Sequence, residues 1–240
     1  MEKNILILGG SSGIGEALVR LAAKDSNQLM FTYFQNQDKA KVIERETGAE
    51  ARFYDQAKED SINDLIDYVA TKNFDVLVNN AVEPYKRENL LELSVDDFLQ
   101  YLGRGIRGAF KVCQAFASSV VKRNGSGKIV HVLSSVVMGF PPEKQASYIA
   151  LKYAWLGLMR AQAVEFKKLN IQVNAVSPSM TRTPLIADLP ERFVKMLEQT
   201  LPMGRIATPE EVAGVIHFLI SSESSYIHGA NIPVTGGQTY

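Results

Sequence analysis

Tyr148 and Lys152 are the two residues of this chain best spaced for chemistry, four positions apart and preceded by Ser134-Ser135. If residues 147 onward are helical, a phenol and an ammonium at i and i+4 share one helix face, about 5–6 Å apart at Cβ. A cation at that distance favours the phenolate, so the phenol is expected to titrate below its ordinary value of about 10, towards neutrality. Such a group can give or take a proton. The spacing alone does not decide the matter, because Tyr54/Lys58 and Tyr68/Lys72 repeat it among the nine tyrosines. Only Tyr148 has a serine, Ser135, thirteen residues earlier, at the end of the apolar run Ile129-Val130-His131-Val132-Leu133. That run reads as a buried strand, and reactive groups of open α/β sheets gather at the C-terminal strand edge. Tyr54 and Tyr68 are expected to be surface or half-buried aromatics, His131 a satisfied core histidine, and Trp155 a residue that packs at a subunit interface.

The 240 residues, 46% of them hydrophobic, can bury a full core, and one domain over 1–240 is expected. The 26 basic and 26 acidic residues balance, which points to no nucleic acid and no membrane surface. Cys113 is the only cysteine, excluding an internal disulfide and a cysteine-based metal site. His131, His217 and His228 have no ligand spacing, so no metal is expected. Met1-Glu2-Lys3-Asn4 is followed by only a short apolar run, too short for a signal-peptide core, and no stretch approaches the length of a membrane span. The expectation is a soluble cytoplasmic protein.

The elements that would hold the pair follow in order. Asn4 to Leu8 reads as a strand, ending in Gly9-Gly10-Ser11-Ser12-Gly13-Ile14-Gly15, and Glu16 to Lys24 is helical. Strand, glycine turn and helix start make a phosphate cradle: glycines let the backbone approach a pyrophosphate, and the helix N-terminus offers free N–H groups. Gln28 to Tyr33 is a second strand, whose end distinguishes the two dinucleotides. A carboxylate there binds a ribose 2′-OH and a basic group accepts a 2′-phosphate; Tyr33-Phe34-Gln35-Asn36 offers neither, and with no carboxylate to repel a phosphate NADP(H) is favoured over NAD(H).

Further strands are expected at Ala51–Tyr54, Asp75–Asn79, Ile129–Leu133, Ile171–Val176 and Asn231–Val234. Helices are expected at 38–47, at 61–72 with Ser61 as N-cap, and at 96–123 with a break near Gly103 and Gly105. Two more follow, from 147 to 169 and from 209 to 221 after Thr208. This alternation predicts βαβ units: a doubly wound, seven-stranded parallel sheet with helices on both faces, a Rossmann fold, with a mobile flap at about 182–204.

Beyond these readings, the chain resembles the short-chain dehydrogenase/reductases over essentially its whole length. The resemblance rests on Gly9-x-x-x-Gly13-Ile14-Gly15, Asn79-Asn80-Ala81, Ser135, Tyr148-x-x-x-Lys152, Asn174-x-x-x-Pro178 and the stretch from Pro202 to Val212. Within that family it looks most like the 3-oxoacyl-[acyl-carrier-protein] reductases of fatty acid or polyketide synthesis. The resemblance implies that Ser135 hydrogen-bonds a substrate carbonyl, Tyr148 protonates the alkoxide, and Lys152 lowers the tyrosine's pKa and holds the nicotinamide ribose. It also implies that Gly9, Ser11, Ser12, Gly13, Ile14 and Gly15 surround the pyrophosphate and adenosine ribose, with Phe34 beside them. Asp55 and Gln56 would meet the adenine, Asn80 and Ala81 the adjoining ribose, and Thr181 and Thr183 the carboxamide. A homodimer or homotetramer through the helices bearing Phe110–Val121 and Trp155–Phe166 is implied as well.

Four positions depart from the family pattern: Leu8, Val82, Ser179 and, most tellingly, Gly105, where the family has an asparagine that anchors a water chain. A water is expected in the space of the missing side chain. The expected activity is reduction of a carbonyl, most simply a 3-oxoacyl thioester. The alternatives are a free alcohol, sugar or ketone as substrate, or a nucleotide-binding scaffold without catalysis. Lys122, Arg123, Lys167 and Lys168, expected beside the site, would suit an acidic carrier protein. The apolar residues of the flap, Leu185 to Met196, would suit an acyl chain.

Overall fold

The computed structural model describes residues 3–25 and 28–239. Met1 and Glu2, part of the N-terminal run discussed above, lie outside them. The strands are β1 (Asn4–Leu8), β2 (Gln28–Tyr33), β3 (Glu50–Phe53), β4 (Val76–Asn79), β5 (Gly127–Val132), β6 (Ile171–Pro178) and β7 (Asn231–Val234). The helices are α1 (Gly13–Ala22), α2 (Gln37–Thr47), α3 (Glu59–Thr71), α4 (Val95–Lys122), α5 (Ala146–Phe166), α6 (Glu191–Glu198) and α7 (Pro209–Ile220). All strand pairs are parallel, in the order β3-β2-β1-β4-β5-β6-β7.

A parallel sheet is covered on both faces, so its strands are apolar on both sides. Leu6, Leu8, Leu77 and Ile129 pack towards α3, α4 and α5, while Ile5, Ile7, Val76, Val78 and Val130 pack towards α1, α2 and α7. The period of two sets this division. Strand order reverses between β1 and β4, which opens a crevice above their C-terminal ends. The glycine turn after β1 and Asn80-Ala81 after β4 flank that crevice.

Several details differ from expectation for local physical reasons. Ser61 is not an N-cap: α3 starts at Glu59, and the Ser61 hydroxyl accepts from the Asp55 amide at 2.9 Å. Two carboxylates, Glu59 and Asp60, sit in that first turn, where the helix dipole favours them. Thr208 does cap α7, in a reciprocal capping box with Glu211.

The expected break in α4 is absent; the helix runs unbroken through Gly103 and Gly105. Gly105 serves packing instead. A Cβ there would lie 2.6 Å from Cδ2 of Leu151, so Leu151, not a water, fills the space of the missing side chain. The Gly105 carbonyl accepts from the Trp155 indole at 3.0 Å, and Trp155 is buried within the chain rather than left to face a partner.

The basic residues thought to lie beside the site are at the opposite end. Tyr148 is at the start of α5 and Lys167 just past its end, a separation of about 28 Å at 1.5 Å per residue. Lys122 likewise closes α4, next to the N-terminal start of β5. Arg123 is also engaged, donating to Asp75 at 2.9 Å and to the Phe74 carbonyl at 2.6 Å.

The Gly105–Leu151 contact makes a measurable prediction. Gly105→Asn should lower the unfolding free energy by about 1–3 kcal/mol through overpacking. The same substitution in a Leu151→Ala background should cost less; a double-mutant cycle in urea that gives simple additivity would contradict the contact.

Candidate active site

Helix α5 turns one continuous stripe inward: Tyr148, Leu151, Lys152, Trp155, Met159, Gln162 and Ala163 are all buried. Spacings of three and four residues put them on one face. That stripe carries Tyr148 and Lys152 to the C-terminal end of β5, where Ser134 and Ser135 follow the strand. Lys152 Nζ lies 5.6 Å from the centre of the Tyr148 ring and donates to the Val132 carbonyl at 2.8 Å.

The proton affinities do not follow the sequence expectation. Burial holds the Tyr148 phenol in its neutral form, pushed up to about 12; a hydrogen bond from Ser134 works against this, and the neighbouring Tyr85 adds to it. Burial also pushes Lys152 down to about 8. Removal from water is the largest cause of both shifts, because each charged form loses its hydration. In this site the group that titrates near neutrality is the ammonium.

The two adjacent serines differ. The hydroxyl in contact with the Tyr148 oxygen belongs to Ser134, which is buried and also accepts from the Val136 amide at 3.4 Å. Ser135 is half-buried at the start of a short 3-10 turn. Spacing pointed to Ser135 and could not show which neighbour turns towards the phenol.

Behind Lys152, on the α4/α5 side of β5, His131 is fully buried. Its Nδ1 faces the Asn79 amide at 3.2 Å and its Nε2 the Gln162 Oε1 at 2.8 Å, so Nδ1 accepts and Nε2 donates. Burial pushes His131 down to about 4, against the Gln162 bond and with the nearby Lys152. The Trp155 ring lies 5.1 Å from it. The expectation of a satisfied core histidine holds.

The glycine turn has the shape of an anion cradle. Gly9 has φ +75° and would clash with Ala81 if it carried a Cβ; Gly15 would place a Cβ 2.1 Å from the Gly9 carbonyl. Asn80 donates to that carbonyl at 2.8 Å, and Thr32 receives the Gly9 amide at 2.9 Å. Ser12, the N-cap of α1, makes no side-chain bond to the first turn, and Ser11, Gly13 and Ile14 adjoin that helix start. These residues fit a pyrophosphate.

Further out, Asp55 and Gln56 are buried after β3, with an Asp55 carboxylate oxygen accepting from Ala57 at 2.9 Å. Phe34 is half-exposed against Phe53, 6.2 Å between ring centres. Of the two threonines expected at the carboxamide, Thr183 lies against Gly13, while the Thr181 hydroxyl turns back to the Ser179 carbonyl at 3.0 Å.

The other tyrosine–lysine pairs are not sites. Tyr54 is buried in the core, its hydroxyl without a hydrogen-bond partner among the described residues, and Lys58 lies before α3 rather than on a shared helix. Tyr68 donates to Glu50 at 2.5 Å on the surface. Among the described residues no three potential metal ligands are grouped, and no helix is long and apolar enough to cross a membrane. Residues that spacing did not reveal include Thr32, Gln162 and Tyr85. Tyr85 belongs to no motif, and only the folded chain brings it onto Tyr148.

A family model described as enoyl-(acyl carrier protein) reductase matches residues 9–239. The 3-oxoacyl-[acyl-carrier-protein] reductase FabG of Thermotoga maritima is 34% identical over 98% of this chain and 97% of its own. The cis-4-hydroxycyclohexanecarboxylate dehydrogenase of Sinomonas cyclohexanicum is also 34% identical, over 99% of this chain and 97% of its own. The solved 3-ketoacyl-(acyl-carrier-protein) reductase of Brucella melitensis, complexed with NADH, superposes with a TM-score of 0.88 at 27% identity, covering 99% of this chain and 98% of that one. With its parallel sheet, glycine cradle and buried tyrosine–lysine pair, the chain belongs to the short-chain dehydrogenase/reductase family. It is an oxidoreductase acting on CH–OH groups.

The ammonium buried behind Tyr148 ties stability to pH. Lys152 moves from an ordinary 10.5 to about 8, so the folded chain binds fewer protons than the unfolded chain between those values. This contribution is full above the unfolded value and is lost as pH falls through about 8. Tyr148, raised from 10.0 to about 12, contributes oppositely, in full below 10 and lost as pH rises through about 12. From about pH 8 to about pH 10, wild type should gain about 2 kcal/mol more than Lys152→Met in urea unfolding. Parallel pH profiles for the two proteins would exclude the buried ammonium.

Proposed function

We propose that the chain is an NADP(H)-dependent carbonyl reductase whose substrate is a 3-oxoacyl thioester, free or carrier-bound. The observation that carries this reading is the placement of the Tyr148 phenol and the Lys152 ammonium on one buried face of α5, at the C-terminal end of β5 beside Ser134 and Ser135. A neutral phenol at working pH is a proton donor, and a donor is what reduction of a carbonyl needs. The thioester is supported by the printed activity of the Thermotoga relative. A free ring alcohol or ketone is the second reading, supported by the equally similar Sinomonas relative.

In this reading the cradle from Gly9 to Gly15, with Asn80, Ala81 and Thr183, holds the dinucleotide. Asp55, Gln56 and Phe34 line its adenine end, and Thr181 stands just before the flap beside it. The reduced nicotinamide, when bound, supplies the hydride. Ser135 hydrogen-bonds the carbonyl oxygen, Ser134 orients the phenol, and Tyr148 gives its proton to the oxygen as it becomes an alkoxide. The Lys152 ammonium, 5.6 Å from the centre of the Tyr148 ring, stabilises a phenolate left on Tyr148. Preference for NADP(H) is supported by the absence of a carboxylate from Tyr33 to Asn36.

The reading also takes the chain as one cytoplasmic domain with a mobile flap at 182–204, assembled as a homodimer or homotetramer. Exposed Val121, Tyr153 and Val164 on α4 and α5 support assembly through those helices. The flap offers less to an acyl chain than its composition suggested. Val194 is buried with Leu201 and Ile206, Ile186 and Leu189 pack against them, and Phe193 and Met196 remain exposed.

Oxidation of NADPH and NADH should be followed with 3-oxobutyryl and 2-butenoyl thioesters and a cyclic ketone. The 3-oxo thioester with NADPH should be the best pair, and Tyr148→Phe should lower kcat by about 10²–10⁴. Greater turnover of the enoyl thioester or the ring ketone would replace the substrate assignment, and equal use of NADH would remove the nucleotide preference. In the same assay Ser135→Ala should cost about 10²–10³ in kcat and Ser134→Ala only about tenfold. The reverse order would exchange their roles.

A further inference from the structure

The loop between β4 and α4 reaches back over the reacting phenol. Tyr85 lies nearly flat on Tyr148, ring centres 4.5 Å apart and planes 19° from parallel. The Arg87 guanidinium stands over the Tyr85 ring, 5.1 Å from its centre, and pairs with Asp188 of the flap. The same loop is fastened at two further points. Tyr101 of α4 donates to the Glu83 carbonyl at 3.3 Å, and the Glu88 amide donates to the Lys144 carbonyl at 3.2 Å. Tyr85 is therefore held in place from three sides: by α4, by the loop before α5 and by the flap.

Two rings at stacking distance leave no room for a substrate atom between them. One face of Tyr148 is covered by Tyr85, so a carbonyl that meets the hydroxyl must pass beside the Tyr85 ring. A substituent next to that carbonyl must then run along Tyr85.

We propose that Tyr85 is a specificity-determining residue: an aromatic gate that admits carbonyl compounds unbranched beside the reacting carbon and rejects those branched there, with the Arg87–Asp188 pair holding it against Tyr148. This rests on the carbonyl-reductase reading and narrows its substrate class. The gate acts through the shape of the ring; the Tyr85 hydroxyl, which Arg87 also engages, only helps to hold the ring in place.

The test compares kcat/KM for 3-oxobutyryl-N-acetylcysteamine and its 2-methyl analogue in wild type, Tyr85→Ala, Tyr85→Phe and Arg87→Ala. Tyr85→Ala should raise the branched-to-unbranched ratio by about tenfold or more, the size of effect a methyl group has in a closed pocket. Tyr85→Phe should keep the wild-type ratio, and Arg87→Ala should fall between. An unchanged ratio in Tyr85→Ala, or an equal change in Tyr85→Phe, overturns the gate. Hydroxyl-radical footprinting of the same proteins gives a readout free of turnover: labelling of Tyr148 should rise in Tyr85→Ala and not in Tyr85→Phe. If wild type reduces neither thioester, the reductase reading fails by itself and the footprint alone decides whether Tyr85 covers Tyr148. Equal labelling in all proteins overturns the proposal.

Discussion

A buried ammonium behind a buried phenol is the constraint on which the rest of this site depends. Lys152 is 6% exposed and holds one carbonyl, that of Val132, at 2.8 Å. Its fall from 10.5 to about 8 corresponds to about 3 kcal/mol against the charged form. A charge is tolerated there only if its surroundings are polar, fixed and free of a second cation. The chain meets these conditions with the carbonyl at the end of β5 and with His131, which burial keeps neutral beside it.

The interior of α5 is accordingly a polar seam inside an apolar layer. Asn79, His131 and Gln162 are linked in sequence, and Trp155 covers the imidazole while its indole N–H reaches α4. Each group has its partner, as a buried network requires if it is to rigidify and not destabilise. Gly105 belongs to this arrangement. Without a side chain it lets Leu151 close against α4 and leaves its carbonyl to Trp155, so the departure from the family pattern is filled by packing.

Around that seam the topology brings together loops distant in sequence. The glycine turn after β1, Asn80 after β4, the serines after β5 and the flap after β6 all leave the same edge of the sheet. Parallel strands make this unavoidable, because every strand ends on the same side. The same rule sends the ends of α4 and α5 to the far edge, which removes Lys122 and Lys167 from any role at the site mouth.

Much was legible in the sequence by itself: the seven strands, the glycine turn, the capping of α7 and the tyrosine–lysine face. All of these rest on local periodicity or on fixed short-range geometry, which neighbouring residues determine. Only the tertiary structure decided which serine meets the phenol, that Leu151 occupies the space at Gly105, and that Tyr85 lies on Tyr148. It also decided the ionisation of the site. Spacing brings a cation near a phenol and predicts a lowered phenol, but burial is a property of the whole packed chain, and here desolvation is the larger effect.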